Sequence, residues 1–337
     1  MQFVGLDIHK KHINACIRDD DGNIIAERKF RNDPQWLDKF LTRVNKDDKI
    51  ALESCICWEH IYDYLDDQGF VNLVLANPCQ IRKNGPKTDK IDARKLSNLL
   101  RVGMLPLSWP APKDVRDHRK ITRHKASLTR VRTMIKNMVN AILIRNGIHH
   151  PYSDVFGKAG VKYLYSLDLP MSERIQMDNY LKLIEFINEL IGNAQEVIED
   201  FAQFNYNVKI LKTHPGIEYY LASMIDAEIG DVRRFRKISK LISYAGLDPS
   251  VSQSGDKCYY GHITKQGNAN LRWALIQAAH VAVMHDKKYA KIFHKIKARR
   301  NPNIAYVAVA RRILKTIYAM LKNNAKYIPN LQERKAS

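Results

Sequence analysis

Alternating apolar and polar positions open the chain. QFVGLDI and HINACIR read as strands, DDDGN as the turn after the second, and NIIAERKF as a third strand, which together make an antiparallel meander. The period then changes. Positions 34–44 carry helical spacing, IALES (50–54) is a short apolar strand, 58–68 is a helix, VNLVLA (71–76) is a further strand, and another helix begins after Gly85-Pro86. Two long helices are expected next. The first runs from Lys113 to Arg145 with Ile121, Leu128, Val131, Ile135, Met138 and Ile142 in coiled-coil-like register. The second places Met177, Tyr180, Ile184, Ile187, Ile191, Ala194, Ile198 and Phe201 at alternating spacings of three and four, which suits an intramolecular pair or a seam for self-association. From residue 211, Pro215-Gly216 separates two short helical patterns with helix-hairpin-helix character, although Glu218 stands where such hairpins usually carry glycine. DPSVSQSGDKCYYGHITKQGN reads as a loop with hairpin character, followed by a helix from Ala269 to Met284 and a basic helical tail.

The order βββαβαβα is that of a ribonuclease H-like fold, so the chain is expected to be α/β plus α. Three parts are predicted: a ribonuclease H-like domain over 1–110, a long-helix, coiled-coil-like region over 111–208, and a mostly helical part over 209–330.

Charge narrows the function classes. Fifty-five Lys and Arg against thirty-five Asp and Glu leave the 337-residue chain at +20, a balance suited to nucleic acid. The helix 113–145 alone carries ten basic residues against two acids and would repel itself without a polyanion, so Arg119, Lys120 and Arg123 are candidate phosphate contacts. No run approaches the roughly 18 apolar residues of a membrane span, and a cytoplasmic protein is expected. The five cysteines lack paired C-x-x-C spacing, which argues against a disulfide framework or zinc site.

Against that positive background, acids cluster. Asp7 falls on the first strand, Glu53 at the end of the fourth, and Asp89 and Asp92 on one face of a helix. Four converging carboxylates could hold two Mg²⁺ ions roughly 4 Å apart, which would activate a nucleophile and neutralise the leaving oxygen of a phosphodiester. Lys87 and Lys90 would hold flanking phosphates. Asp89 and Asp92 also suit the positive end of a helix dipole, and both roles can hold together.

Here the chain resembles the Piv/MooV family of DNA invertases and the related insertion-sequence transposases with a DEDD tetrad. The N-terminal resemblance, to a RuvC-like domain, rests on G-L-D-I-H (5–9), A-L-E-S (51–54) and K-T-D-K-I-D-A (87–93). The C-terminal one rests on H-P-G-I (214–217), S-Y-A-G-L-D-P (243–249), Q-S-G (253–255) and K-Q-G-N-A-N-L-R (265–272). The resemblance implies a tetrad of Asp7, Glu53, Asp89 and Asp92 that binds Mg²⁺. It also implies that Ser254 attacks DNA to form a phosphoserine intermediate. For the insertion-sequence branch it implies a structured bridge RNA that pairs with target and donor DNA, and a dimer or tetramer whose sites combine residues of different subunits. From its chemistry alone Ser254 lacks an evident base, and a serine in a Gly-containing loop is commonly a turn former. Lys257, His262, Lys265 and Arg272 are candidates for holding phosphate oxygens near it.

Two other classes stay open at this point. A RuvC-like structure-selective nuclease would use water and need no Ser254. A non-catalytic nucleic-acid binder would need no tetrad, though four acids would then only repel its ligand.

Overall fold

The meander forms as the alternation predicts. Strands β1 (Phe3–Ile8), β2 (His12–Arg18) and β3 (Ile24–Arg31) pair antiparallel. β1 is buried along its whole length, because β4 (Lys49–Glu53) and β5 (Asn72–Ala76) extend the sheet in parallel on its other side. A two-residue strand, β6 (Leu107–Ser108), too short to leave a periodic signal, closes the order β3-β2-β1-β4-β5-β6. This is a computed structural model that describes residues 1–81, 89–254 and 257–329. The chain divides into two units, Met1–Ala111 and Pro112–Ser337.

In the first unit the two faces of the sheet have different covers. Val4, Leu6, Ile8, Ile13 and Ile50 pack with residues of α1 (Pro34–Leu41) and α2 (Trp58–Asp67). Asp33 caps α1, its carboxylate accepting from the Trp36 amide, with Pro34 opening the helix. The opposite face, carrying Phe3, Ala51 and Ala76, packs on Leu96 and Leu100 of α3 (Asp89–Arg101). Strand side chains alternate, so Gly5 and Asp7 share the α3 face with Phe3, and Glu53 shares it with Ala51.

The second unit begins with α4 (Lys113–Arg145), which packs along α6 (Met171–Phe204) through Ile135, Val139, Ile142, Met177, Leu181, Ile184 and Ile187. The single seam expected along α4 is corrected here: Val131 and Met138 are 41% and 39% exposed, and Val139 is buried in place of Met138. The helix serves two partners. Its C-terminal half faces α6, while Arg116, His118, Thr122 and Ala126 are buried in its N-terminal half. Ala126 joins a separate core with α8 (Tyr219–Ile229), α10 (Ala269–His285) and α12 (Pro302–Lys322). On α6 the seam ends at Ala202 rather than at the exposed Phe201.

The expected basic helical tail forms, as helices over Lys287–Lys297 and Pro302–Lys322. α12 is an inner helix, with Val309, Ala310, Ile313, Leu314 and Ile317 fully buried, because its basic residues occupy only the outward face of an amphipathic pattern. The loop of hairpin character is an antiparallel pair, β7 (Pro249–Ser254) and β8 (Lys257–Ile263). Among the described residues no helix is long and apolar enough to cross a membrane.

Candidate active site

Close helix–sheet approach builds the acidic cluster. A Cβ at Gly5 would stand 2.4 Å from the Ala93 carbonyl oxygen and 2.6 Å from the Ser97 nitrogen, so only glycine lets α3 lie directly on β1. Asp89 lies one helical turn before Ala93, and Asp7 lies two residues beyond Gly5 on the same face. The ladder pairs Leu6 with Leu52, which brings Glu53 up beside Asp7 at the carboxyl ends of two parallel strands. Asp89 and Asp92 both belong to the first turn of α3, where the helix dipole favours carboxylates. Lys87 and Thr88, just before this helix, lie outside the described residues.

Asp7 is only 5% exposed. Burial raises its carboxyl pKa, His9 opposes that rise, and the neighbouring Asp89 and Asp92 charges add to it. Three acids are therefore electrostatically coupled, and the strand ladder supplies the fourth. A cation held among them would offset the burial and the neighbouring charges that raise Asp7, and hard carboxylate oxygens are ligands that suit a divalent ion.

Two histidines, absent from the sequence reading of the site, join the acids. His9 Nε2 lies 3.0 Å from Asp7 Oδ2 and 3.5 Å from Asp89 Oδ1, and His12 Nε2 lies 3.2 Å from Asp89 Oδ2. The hydrogen bond with His12 is the leading reason that the Asp89 carboxyl is held below the usual carboxylate range. A tight turn, in which the His9 amide donates to the His12 carbonyl at 2.9 Å, sets the two rings in a stack with centroids 4.9 Å apart. The signal was present in D-I-H, since i and i+2 share a strand face.

The C-terminal motif blocks close on a buried carboxylate. Glu228 of α8 is fully buried and accepts from Arg123 Nε and Nη2 at 2.6 and 2.7 Å and from Asn268 Nδ2 at 2.7 Å. Burial opposes ionisation, but the Arg123 and Asn268 bonds together hold its pKa below the usual range. Asn268 also caps α10 by accepting from the Leu271 amide at 2.9 Å. Arg272 Nη1 donates to the carbonyls of Ala245 and Lys265 at 3.1 and 3.2 Å. It passes so close to Gly246, at φ +65°, that a Cβ there would stand 2.6 Å from it. S-Y-A-G-L-D-P and K-Q-G-N-A-N-L-R thus lock together at the base of the β7–β8 hairpin. Pro249 pairs with Ile263 at that base, while Ser254 pairs with Lys257 at the other end. Gly255 and Asp256 lie outside the described residues.

The candidate phosphate contacts divide by what their side chains already hold. Arg119 donates to the Ala227 carbonyl at 2.6 Å and the Glu228 carbonyl at 3.2 Å, and Arg123 grips Glu228, so both guanidinium groups join α4 to α8. Arg272 is engaged with carbonyls. Lys120 pairs with Asp117 at 3.3 Å and Lys90 with Glu27 at 3.0 Å, both as largely exposed ammonium groups. Lys265 is exposed and sits at φ +54° in the turn before α10.

Comparison with known proteins matches both halves. Residues 4–146 fit a DEDD transposase model of IS110 elements, and residues 208–295 fit the family described as Transposase IS116/IS110/IS902. The chain is 25% identical over 345 residues to the transposase for insertion sequence element IS1111A of Coxiella burnetii, covering 97% of this chain and 91% of that protein. It is 23% identical to the transposase for insertion sequence element IS1328 of Yersinia enterocolitica, covering 94% and 96%. Over 46% of this chain and 49% of its counterpart it is 26% identical to a pilin gene-inverting protein of Moraxella lacunata.

Proposed function

Because the chain belongs to the family of insertion-sequence transposases that both halves match, enzymes that cut and rejoin DNA, we propose that it is a site-specific DNA recombinase acting through a phosphoserine intermediate. The observation that carries metal-dependent strand cleavage is the placement of Asp7 beside Glu53 and under the first turn of α3, where Asp89 and Asp92 lie, while the phosphoserine step rests on the resemblance of Q-S-G (253–255). A β1-centred sheet with the order β3-β2-β1-β4-β5 supports a RuvC-like, ribonuclease H-type reading of the first unit.

Asp7, Glu53, Asp89 and Asp92 would hold the divalent metal that a DEDD domain implies, with Mg²⁺ as the expected ion in a two-ion site. When bound, it lowers the cost of negative charge on the attacking and departing oxygens. The chain's own chemistry is assigned to Ser254. Its Oγ forms a bond to phosphorus as the bond to one strand's oxygen breaks. The hydroxyl proton leaves to a base, and the released oxygen is protonated to a hydroxyl. Reversal, with a different strand's hydroxyl attacking the phosphoserine, rejoins DNA. The Glu228–Arg123–Asn268 and Arg272 contacts fix the hairpin that carries Ser254. Solvent-facing Lys120 and Lys265, with Lys87, Lys90 and Lys257, are assigned to phosphates of DNA or of a structured guide RNA. A homo-oligomer is supported by a second apolar stripe on α6, where Leu183, Phe186, Val197 and Phe201 are exposed.

The test is denaturing electrophoresis of protein incubated with DNA carrying the element's ends, together with the RNA that copurifies when the gene is expressed with its native flanks. A covalent adduct that disappears in Ser254→Ala while DNA binding persists supports the assignment. An adduct of normal yield in that variant sinks it. Cleavage without any adduct, unaffected by Ser254→Ala, points instead to a structure-selective nuclease using water.

A further inference from the structure

His9 and His12 bring two nitrogen donors to the acidic cluster. One nitrogen of each ring and an Asp89 oxygen all lie within 4.8 Å of one another, and Asp7 Oδ2 lies 3.0 Å from His9 Nε2. We propose that His9 and His12 are metal ligands alongside Asp7 and Asp89, so that one metal position is a mixed nitrogen–oxygen site selecting a transition divalent ion such as Mn²⁺ over Mg²⁺. The inference rests on the reading of this cluster as metal-binding.

Three features carry it. Ligand atoms about 2.1–2.2 Å from an octahedral ion stand about 3 Å apart along each cis edge. His9 Nε2 to Asp7 Oδ2 at 3.0 Å and His12 Nε2 to Asp89 Oδ2 at 3.2 Å are close to such edges, and His9 Nε2 lies 3.5 Å from the other Asp89 oxygen. Next, the donors are set by backbone: the His9 amide bonds the His12 carbonyl at 2.9 Å and the rings stack, so both imidazoles are already turned toward Asp89. Finally, His9, His12 and Asp89 are each partly exposed, which leaves a route from solvent. The ligand chemistry then decides the ion. An all-carboxylate and water shell suits Mg²⁺, whereas imidazole nitrogen raises the affinity of transition divalent ions relative to Mg²⁺, least for Mn²⁺ and more for the later metals. With no ion bound, each imidazole N–H donates to a carboxylate across the same distance. To ligate, each ring must turn its bare nitrogen to the metal, which the Nδ1–H tautomer provides.

The experiment is Mn²⁺ titration of the intact, DNA-free protein, followed by electron paramagnetic resonance of free Mn²⁺ and by electron spin echo modulation of bound Mn²⁺. Expected are ¹⁴N modulation from imidazole in the unaltered protein and a loss of Mn²⁺ affinity of about tenfold or more in His9→Gln and in His12→Gln. Mg²⁺ affinity, read by competition, should change several-fold less. The echo measurement on the unaltered protein keeps the test independent of how the variants fold. Bound Mn²⁺ that requires Asp7 but gives no ¹⁴N modulation, with both histidine variants unchanged, overturns the inference and leaves the carboxylate site standing. Mn²⁺ binding unaffected by Asp7→Asn removes the metal reading itself, and the inference with it.

Discussion

The backbone of Gly5 on β1 touches the backbone of Ala93 on α3, with room for hydrogen but not for a methyl group. Alanine at position 5 must lift α3 from the sheet, and Asp89 and Asp92 move with that helix. Gly5→Ala should destabilise the protein by about 2 kcal/mol or more and lower DNA cleavage by about 100-fold, the scale of a 1 Å misplacement in a site. Denaturant unfolding and cleavage assays check this, and wild-type values in both would show that the close approach is dispensable.

Glu228 should behave as a buried ionic hub. Glu228→Ala leaves the Asn268 amide without its acceptor and Arg123 without its partner, but Arg123 is 45% exposed and can turn to water, so the loss should be about 1–3 kcal/mol. Arg119→Gln and Arg123→Gln should lower the thermal midpoint, because these groups hold α8. Lys120→Gln should instead leave the midpoint near wild type and reduce the slope of log affinity against log salt by about one. Salt-dependent binding by the three single variants separates the roles, and arginine variants that flatten the slope without losing stability would reverse them.

His214 should make the protein sensitive to acid. It is buried, and its pKa is lowered to about 4 by loss of water, partly opposed by its bond to the Pro215 carbonyl. Its Nδ1–H donates to that carbonyl at 2.8 Å, and Nε2 accepts from the Tyr289 hydroxyl at 2.7 Å. Between pH 6.5 and about 4 the unfolded chain binds a proton that the folded chain refuses. Stability from this group is therefore complete above 6.5, falls by up to about 1.4 kcal/mol per pH unit below it, and levels off beneath 4. His214→Gln should show a shallower loss over that window, and parallel curves for the two proteins would contradict the assignment.

Arg272 should matter for geometry rather than charge. Its Nη1 bridges two carbonyls beside Gly246, a fit that a lysine ammonium does not reproduce. Arg272→Lys and Arg272→Ala should both lower adduct formation by at least about tenfold while leaving Mn²⁺ binding unchanged. Full activity in Arg272→Lys would show that a positive charge suffices.

Much of the first unit was determined by the sequence. The apolar alternation of QFVGLDI and HINACIR, the turn at Gly22 and the short apolar runs at 50–54 and 71–76 fix strands, order and face. Once the order is fixed, the period of two puts Asp7 and Glu53 on one side of the sheet. The helical period likewise marked α6, and the motif blocks marked where chemistry concentrates. Tertiary structure decided what periodicity cannot carry. α4 keeps α6 beside it, His118 stacking on Phe201 and Lys125 bonding Gln195, while its N-terminal half also packs on α8, so no single seam describes it. α12 is buried because other helices surround it, although its composition reads as basic. The direction of a side chain is also settled only when partners arrive. Arg119, Arg123 and Arg272 read as phosphate contacts by charge, but a buried carboxylate and four backbone carbonyls engage their guanidinium groups. His9 and His12 have no evident role in the sequence until α3, docking on Gly5, brings Asp89 to meet them, 77 positions from His12.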